Sequence, residues 1–99
     1  MKVFISQPMV DKTDAQILDE RNKAIEKVKN TYPDESVEII DSFIEDAPDN
    51  ASPLWFLGKS VQFLAEADLA YFIGDWRKYR GCKAENYLAK AYDIPTIEE

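Results

Sequence analysis

The sequence contains no histidine. That removes imidazole acid–base chemistry, histidine-containing triads and histidine-ligated metal sites. A single cysteine, Cys82, permits no disulfide within the chain, so the fold needs no oxidising compartment. No apolar run approaches the roughly 20 residues that cross a bilayer. The opening Val3-Phe4-Ile5 is too short for the apolar stretch of a signal peptide. Basic residues are in the minority: 12 Lys and Arg against 19 Asp and Glu leave a net charge of -7. Duplex DNA is held by a basic face that neutralises phosphates, so neither nucleic acid nor membrane is expected as a partner. What remains is one cytoplasmic domain spanning all 99 residues.

Two further absences remove apparent motifs. Gly58-Lys59-Ser60 has the ending of a phosphate-binding loop. The glycine that should precede it falls at Leu54-Trp55, and the triplet lies inside a helical pattern, so the cradle cannot form. Glu45, Asp46 and Asp49 are acidic but lack the spacing of a calcium loop. No metal and no cofactor is expected.

The elements follow from local signals. Lys2 to Ser6 reads as a buried strand, with Val3, Phe4 and Ile5 in succession. Thr13 with Gln16 forms the two halves of a capping box, opening a helix to about Asn30 with Ile17, Leu18, Ala24, Ile25 and Val28 as its apolar stripe. Val37 to Asp41 reads as the second strand. Ser42 to Pro53 is acidic and too long for a minimal turn, which makes it a candidate ligand-covering loop. Ser52-Pro53 opens a second helix. On that helix Trp55, Phe56 and Phe63 widen the apolar surface beyond the stripe of Leu54, Leu57, Val61 and Leu64. Leu69 to Ile73 is a third strand, and Gly74 to Arg80 a polar loop. A last helix from Gly81 to Tyr92 should bury Ala84, Leu88 and Ala91, and Ile94 to Ile97 makes an edge strand.

The order βαβαβαβ predicts a three-layer α/β fold of flavodoxin- or Rossmann-like type. Its four-stranded parallel sheet has order 2-1-3-4, with the first helix on one face and the other two opposite. One helix cannot cover a four-stranded face, and the second helix has apolar surface to spare. A homodimer or larger assembly is therefore expected.

In such a sheet ligands bind beyond the C-terminal strand ends, near the point where strand order reverses. That crevice should gather Ser6 and Gln7 after the first strand, Asp41 and Phe43 after the second, and Asp75, Trp76, Arg77, Arg80 and Gly81 around the third. Glu85, beside the buried stripe of the last helix, can serve as nucleophile or base, with apolar walls raising its pKa. It can equally be a first-turn glutamate that complements the helix dipole. Asp75 is the candidate partner carboxylate, since two carboxylates about 5 Å apart suit retaining glycoside chemistry. Arg77, Lys78, Arg80 and Lys83 concentrate positive charge in an acidic chain and suit a phosphate or another anion. Trp76 and Tyr79 can stack on a base. Ser6 and Gln7 offer hydrogen bonds to a ribose or phosphate. Cys82, without a histidine base, reads as a bystander.

These residues carry a family likeness. Ser6-Gln7-Pro8-Met9, Ala67-Asp68, and Arg80-Gly81-Cys82-Lys83-Ala84-Glu85 followed by Ala89, Ala91 and Ile94-Pro95 resemble the nucleoside 2-deoxyribosyltransferase-like proteins. The likeness is greatest to their compact, phage- and prophage-associated branch, and it covers nearly the whole chain. It implies that Glu85, four residues after Gly81, is the nucleophile at C1′ of the sugar, that Asp75 helps bind sugar or base, and that Ser6 belongs to a phosphate-holding turn. Cys82 stands where a small hydroxyl residue is often seen, and Ser6-Gln7 where the transferases often have an aromatic. The implied substrate is a nucleoside or nucleotide, cleaved or transferred at its N-glycosidic bond. A nucleotide-binding module without catalysis, and an interaction domain using Trp55, Phe56 and Phe63, are the alternatives.

Overall fold

The computed structural model describes all of residues 1–99. Its elements are β1 (Lys2–Ser6), α1 (Asp14–Thr31), β2 (Glu38–Ile39), α2 (Pro53–Leu64), β3 (Leu69–Phe72), α3 (Arg80–Ala91) and β4 (Thr96–Glu98), with a single 3-10 turn at Trp76–Lys78. The sheet is parallel throughout, in the order β2-β1-β3-β4, as the element order predicts. In register, Phe4 lies beside Ala70 and Ser6 beside Phe72.

Strand alternation divides the core in two. Val3, Ile5, Leu69, Tyr71 and Ile73 point to one face and pack with Ala24 and Val28 of α1. Phe4, Ala70 and Phe72 point to the other and pack with Leu64 of α2, Cys82 and Ala89 of α3, and Trp76. The two central strands are buried on both sides, which accounts for their unbroken apolar runs. Leu18, expected in the stripe of α1, is 58% exposed, yet the sheet residues beneath α1, from Val3 to Ile73, are buried, so the single helix covers the central strands. Excess apolar surface also remains on α2, where Leu54 and Phe56 are exposed.

The capping box of α1 forms in full. Gln16 N–H donates to Thr13 Oγ1 at 3.1 Å, and Thr13 N–H donates to Gln16 Oε1 at 2.9 Å. Thr13→Ala removes the cap oxygen and is expected to cost about 1 kcal/mol. A urea unfolding midpoint measures it. An unchanged midpoint would mean that packing alone holds this helix end.

Three elements depart from the sequence expectation. The second strand has two residues rather than five, because β2 has only one neighbour and Ile40 N–H makes the last bond, to Val3 O at 2.9 Å. The last strand begins after Pro95, whose nitrogen has no hydrogen to donate, although its carbonyl accepts from Ala70 N–H at 2.9 Å. The third departure matters most for the site. Helix α3 buries Cys82, Glu85, Asn86 and Ala89 rather than the stripe Ala84, Leu88 and Ala91, and Ala91 is exposed. The helix turns its smaller and more polar face to the sheet. Leu88 packs at the flank instead.

Candidate active site

Ser6 is the last residue of β1, and alternation turns it to the same face as Phe4, beneath α3. Glu85 lies on the buried face of that helix. The two meet: Ser6 Oγ donates to Glu85 Oε1 at 2.9 Å, across 79 residues of sequence, and both side chains are buried. Oε2 of the same carboxylate makes no hydrogen bond within the protein. Burial pushes the Glu85 carboxyl up to about 7, and the Ser6 hydrogen bond opposes the shift without cancelling it. Beside it, burial pushes the Cys82 thiol up as well, again against a Ser6 contribution. Cys82 is therefore not an activated thiol, despite its place in the first turn of a helix.

Glu85 lines a cleft of about 600 Å³ bounded by the turn after β1, the start of α2 and the start of α3. Gln7, Pro8 and Met9 form one wall. Ser52, Leu54, Phe56, Leu57 and Ser60 of the α2 side form another, and Tyr79, Arg80, Gly81 and Cys82 close the base. Glu85 is the one carboxylate and Arg80 the one cation among the lining side chains. The size lies in the range of small-molecule sites, and the mix of apolar walls with a few convergent polar groups is that of such a site. Gly81 has no neighbour within 4 Å of where a Cβ would stand, so the helix start leaves free space there. Comparisons with family models, with curated proteins and with solved structures match nothing to this chain.

The remaining residues expected in one crevice separate into three places. Ser6, Gln7, Arg80, Gly81 and Glu85 come together as expected. Asp41 and Phe43 instead line a second, smaller cleft of about 360 Å³ with Trp55, Lys59 and Phe63. The short β2 releases the chain early, and the 41–46 segment then runs along α2 rather than over Glu85. Asp75, Trp76 and Arg77 belong to neither cleft.

Trp76 corrects the stacking expectation outright. Its ring is buried against Phe72, with centroids 5.2 Å apart, and belongs to the core of the α2/α3 face. An indole next to an apolar strand end gains more from burial than from waiting in solvent for a ligand. Arg77 lies over that ring at 4.3 Å and donates to Glu99 O at 3.1 Å, so it covers the core rather than facing the cleft. Gly74, at φ +62°, turns the chain out of β3, and Asp75 after it does not line the cleft that contains Glu85. Asp75 is exposed and faces Lys78 Nζ at 3.9 Å. The pair of carboxylates expected from sequence is therefore a single carboxylate on the cleft wall. Of the four clustered cations, only Arg80 reaches that wall.

The lining residues of α2 were missed as site residues. Their signal was present in the surplus of apolar positions on that helix, but a helix surface that buries nothing of its own reads equally well as an oligomer contact. No group of three or more cysteine, aspartate and glutamate side chains assembles into a metal site. No helix is long and apolar enough to cross a membrane.

Proposed function

We propose that this chain cleaves or transfers the N-glycosidic bond of a deoxynucleoside or its 5′-monophosphate, with Glu85 as the nucleophile. One observation carries the reading: a buried carboxylate with one oxygen held by Ser6 and the other free, at the wall of a cleft of small-molecule size. The likeness of the Gly81-to-Glu85 segment to nucleoside 2-deoxyribosyltransferase-like proteins supports the same assignment.

In the first step Glu85 Oε2 forms a bond to C1′ as the C1′–N bond breaks. The electron pair leaves with the base, which takes a proton from solvent. The Ser6 hydrogen bond holds the other oxygen and orients the attack. In the second step water, or the nitrogen of a second base, attacks C1′ and gives up its proton to solvent, and the ester bond breaks to regenerate the carboxylate with net retention. Asp75, off the cleft wall, has no part in this scheme. Arg80 is the group best suited to a 5′-phosphate. The exposed apolar side chains at the rim, Met9, Leu54 and Phe56, favour self-association around the cleft opening.

The test is release of free base from ribo- and deoxynucleosides and their 5′-monophosphates, followed by chromatography with and without an acceptor base. Glu85→Gln is expected to lower release on the order of a thousandfold or more. In the unaltered protein the rate should rise with pH, reach half its maximum near 7 and level off roughly a unit or more higher, where the carboxylate is ionised. Acceptor dependence separates transfer from hydrolysis. Release that persists undiminished in the glutamine variant removes Glu85 from the mechanism. The absence of release from every substrate leaves ligand binding without catalysis.

A further inference from the structure

We propose that Glu99 is a positioning residue for the cleft, anchoring the turn between β3 and α3 and so fixing the helix that carries Glu85. Its effect on base release rests on the proposed function; the anchoring itself does not.

The three helices do not begin alike. Thr13 caps α1 and Ser52 caps α2, each side chain accepting from a backbone N–H of the first turn. Tyr79, at the same place before α3, makes no side-chain cap bond. A helix end without a cap must be held from outside its own first turn. Here the preceding turn runs directly into the helix. Lys78 N–H donates to Asp75 O at 3.0 Å, Tyr79 N–H to Trp76 O at 3.1 Å and Lys83 N–H to Tyr79 O at 3.0 Å. That turn is tied to Glu99, the residue after β4. One carboxylate oxygen of Glu99 accepts from Gly74 N–H at 2.9 Å, and the other from Tyr71 Oη at 2.6 Å. Its main-chain oxygen accepts from Trp76 Nε1 at 3.3 Å and from Arg77 Nη1 at 3.1 Å. Its own N–H donates to Phe72 O at 3.0 Å.

Tyr71 belongs to the core on the α1 side and Trp76 to the core on the other, and both rings are buried. Glu99 therefore joins the two cores at the end of β3. Without its carboxylate, a buried phenol and the Gly74 N–H lose their partner, and the carbonyl that receives Trp76 is no longer fixed. Trp76 packs in one cluster with Cys82 and Ala89, which flank Glu85 on the buried face of α3. A shift of the indole is thereby passed to Glu85 and to Tyr79, Arg80 and Gly81 at the base of the cleft. A misplacement of about 1 Å at a reacting group costs on the order of a hundredfold in rate.

The experiment compares Glu99→Ala with Glu99→Gln in the full chain. Alanine removes both side-chain bonds. Glutamine removes the charge but keeps an oxygen for Gly74 N–H and an amide that can donate to Tyr71 Oη. Two readouts need no substrate: titration of the Glu85 carboxyl by carbon-13 NMR, and amide hydrogen exchange. In the alanine variant the Glu85 midpoint is expected to fall from about 7 toward its ordinary 4.5, by on the order of one pH unit, as water enters the loosened helix start. Exchange of the Tyr79 and Lys83 amides should speed up on the order of tenfold more than exchange in β1 and β3. The kcat for base release should fall on the order of tenfold or more. Glutamine should restore all three. A purely stabilising role would speed exchange by one factor throughout and leave the Glu85 titration and the kcat of folded protein unchanged; that result overturns the inference. A glutamine variant that behaves like alanine overturns it as well, because the loss would then follow charge rather than anchoring. Glu99→Asp, one methylene shorter, replaces alanine should that variant not fold, and unfolding of both overturns the inference too. Local exchange and a shifted titration in a protein that releases no base sustain the anchoring and remove the catalytic reading. Base release by the unaltered protein with neither change in the variants does the reverse.

Discussion

Glu85→Gln is expected to stabilise the folded protein at pH 8 by about 3 kcal/mol while it abolishes base release. Burial raises the Glu85 carboxyl from its ordinary 4.5 to about 7 in the folded state. The folded protein therefore prefers the protonated acid. Its contribution to stability is fully present below about 4.5 and is lost as pH rises through about 7. Above that, the native state holds a buried charge, and glutamine removes that charge while keeping the volume and an oxygen for Ser6 Oγ. For a domain of this length a gain of about 3 kcal/mol raises the melting temperature on the order of 10 °C. Melting curves of both proteins from pH 4 to 8 measure it. The two should converge at the acid end and separate above about pH 5. Every other carboxylate titrates alike in both, so the difference reports Glu85 alone. A gap that stays constant with pH, or a variant no more stable at pH 8, would show that Glu85 is not buried as described. Where the gain and the loss of base release coincide, the protein gives up stability for a reactive carboxylate, the usual relation at an active site.

The second large effect concerns Trp76. Trp76→Ala is expected to destabilise the protein by about 3–5 kcal/mol, a large share of the total for a domain this small. The indole is 4% exposed, packs on Phe72 and donates from Nε1 to Glu99 O at 3.3 Å. Its removal leaves a cavity at the point where β3, the 3-10 turn and α3 meet. Urea unfolding followed by far-ultraviolet circular dichroism measures the loss without relying on tryptophan fluorescence. A stacking role would give the opposite result: stability within about 0.5 kcal/mol of the parent and a selective loss of ligand affinity.

Much of the architecture is determined locally, and it was legible for that reason. Thr13 with Gln16, and Ser52 with Pro53, satisfy helix-end donors from within a few residues, so two helix starts appear in the sequence as they do in the structure. The consecutive apolar runs of β1 and β3 follow from burial on both faces. The alternation of strand and helix, with right-handed crossovers, then leaves few sheet orders, and 2-1-3-4 is the one observed.

The site was legible only in part, and the division is physical. Glu85, Ser6, Gln7, Arg80 and Gly81 lie at strand ends and helix starts, where topology alone brings them near one another. The orientation of α3 was not legible, because its periodicity permits two neighbouring faces. The sheet selects the one with Cys82, Glu85 and Ala89 by how closely it packs beneath Phe4 and Phe72. Trp76 and Asp75 sit in a polar loop by sequence. The positive φ of Gly74 and the depth of the core beside Phe72 draw one inward and leave the other exposed. Sequence by itself thus determined the elements and their order, and singled out Glu85 as a candidate carboxylate. Only the tertiary structure decided that this carboxylate stands alone on its cleft, held by Ser6 and raised toward neutrality. Both properties depend on burial and on a contact between residues 79 apart, which no local pattern encodes.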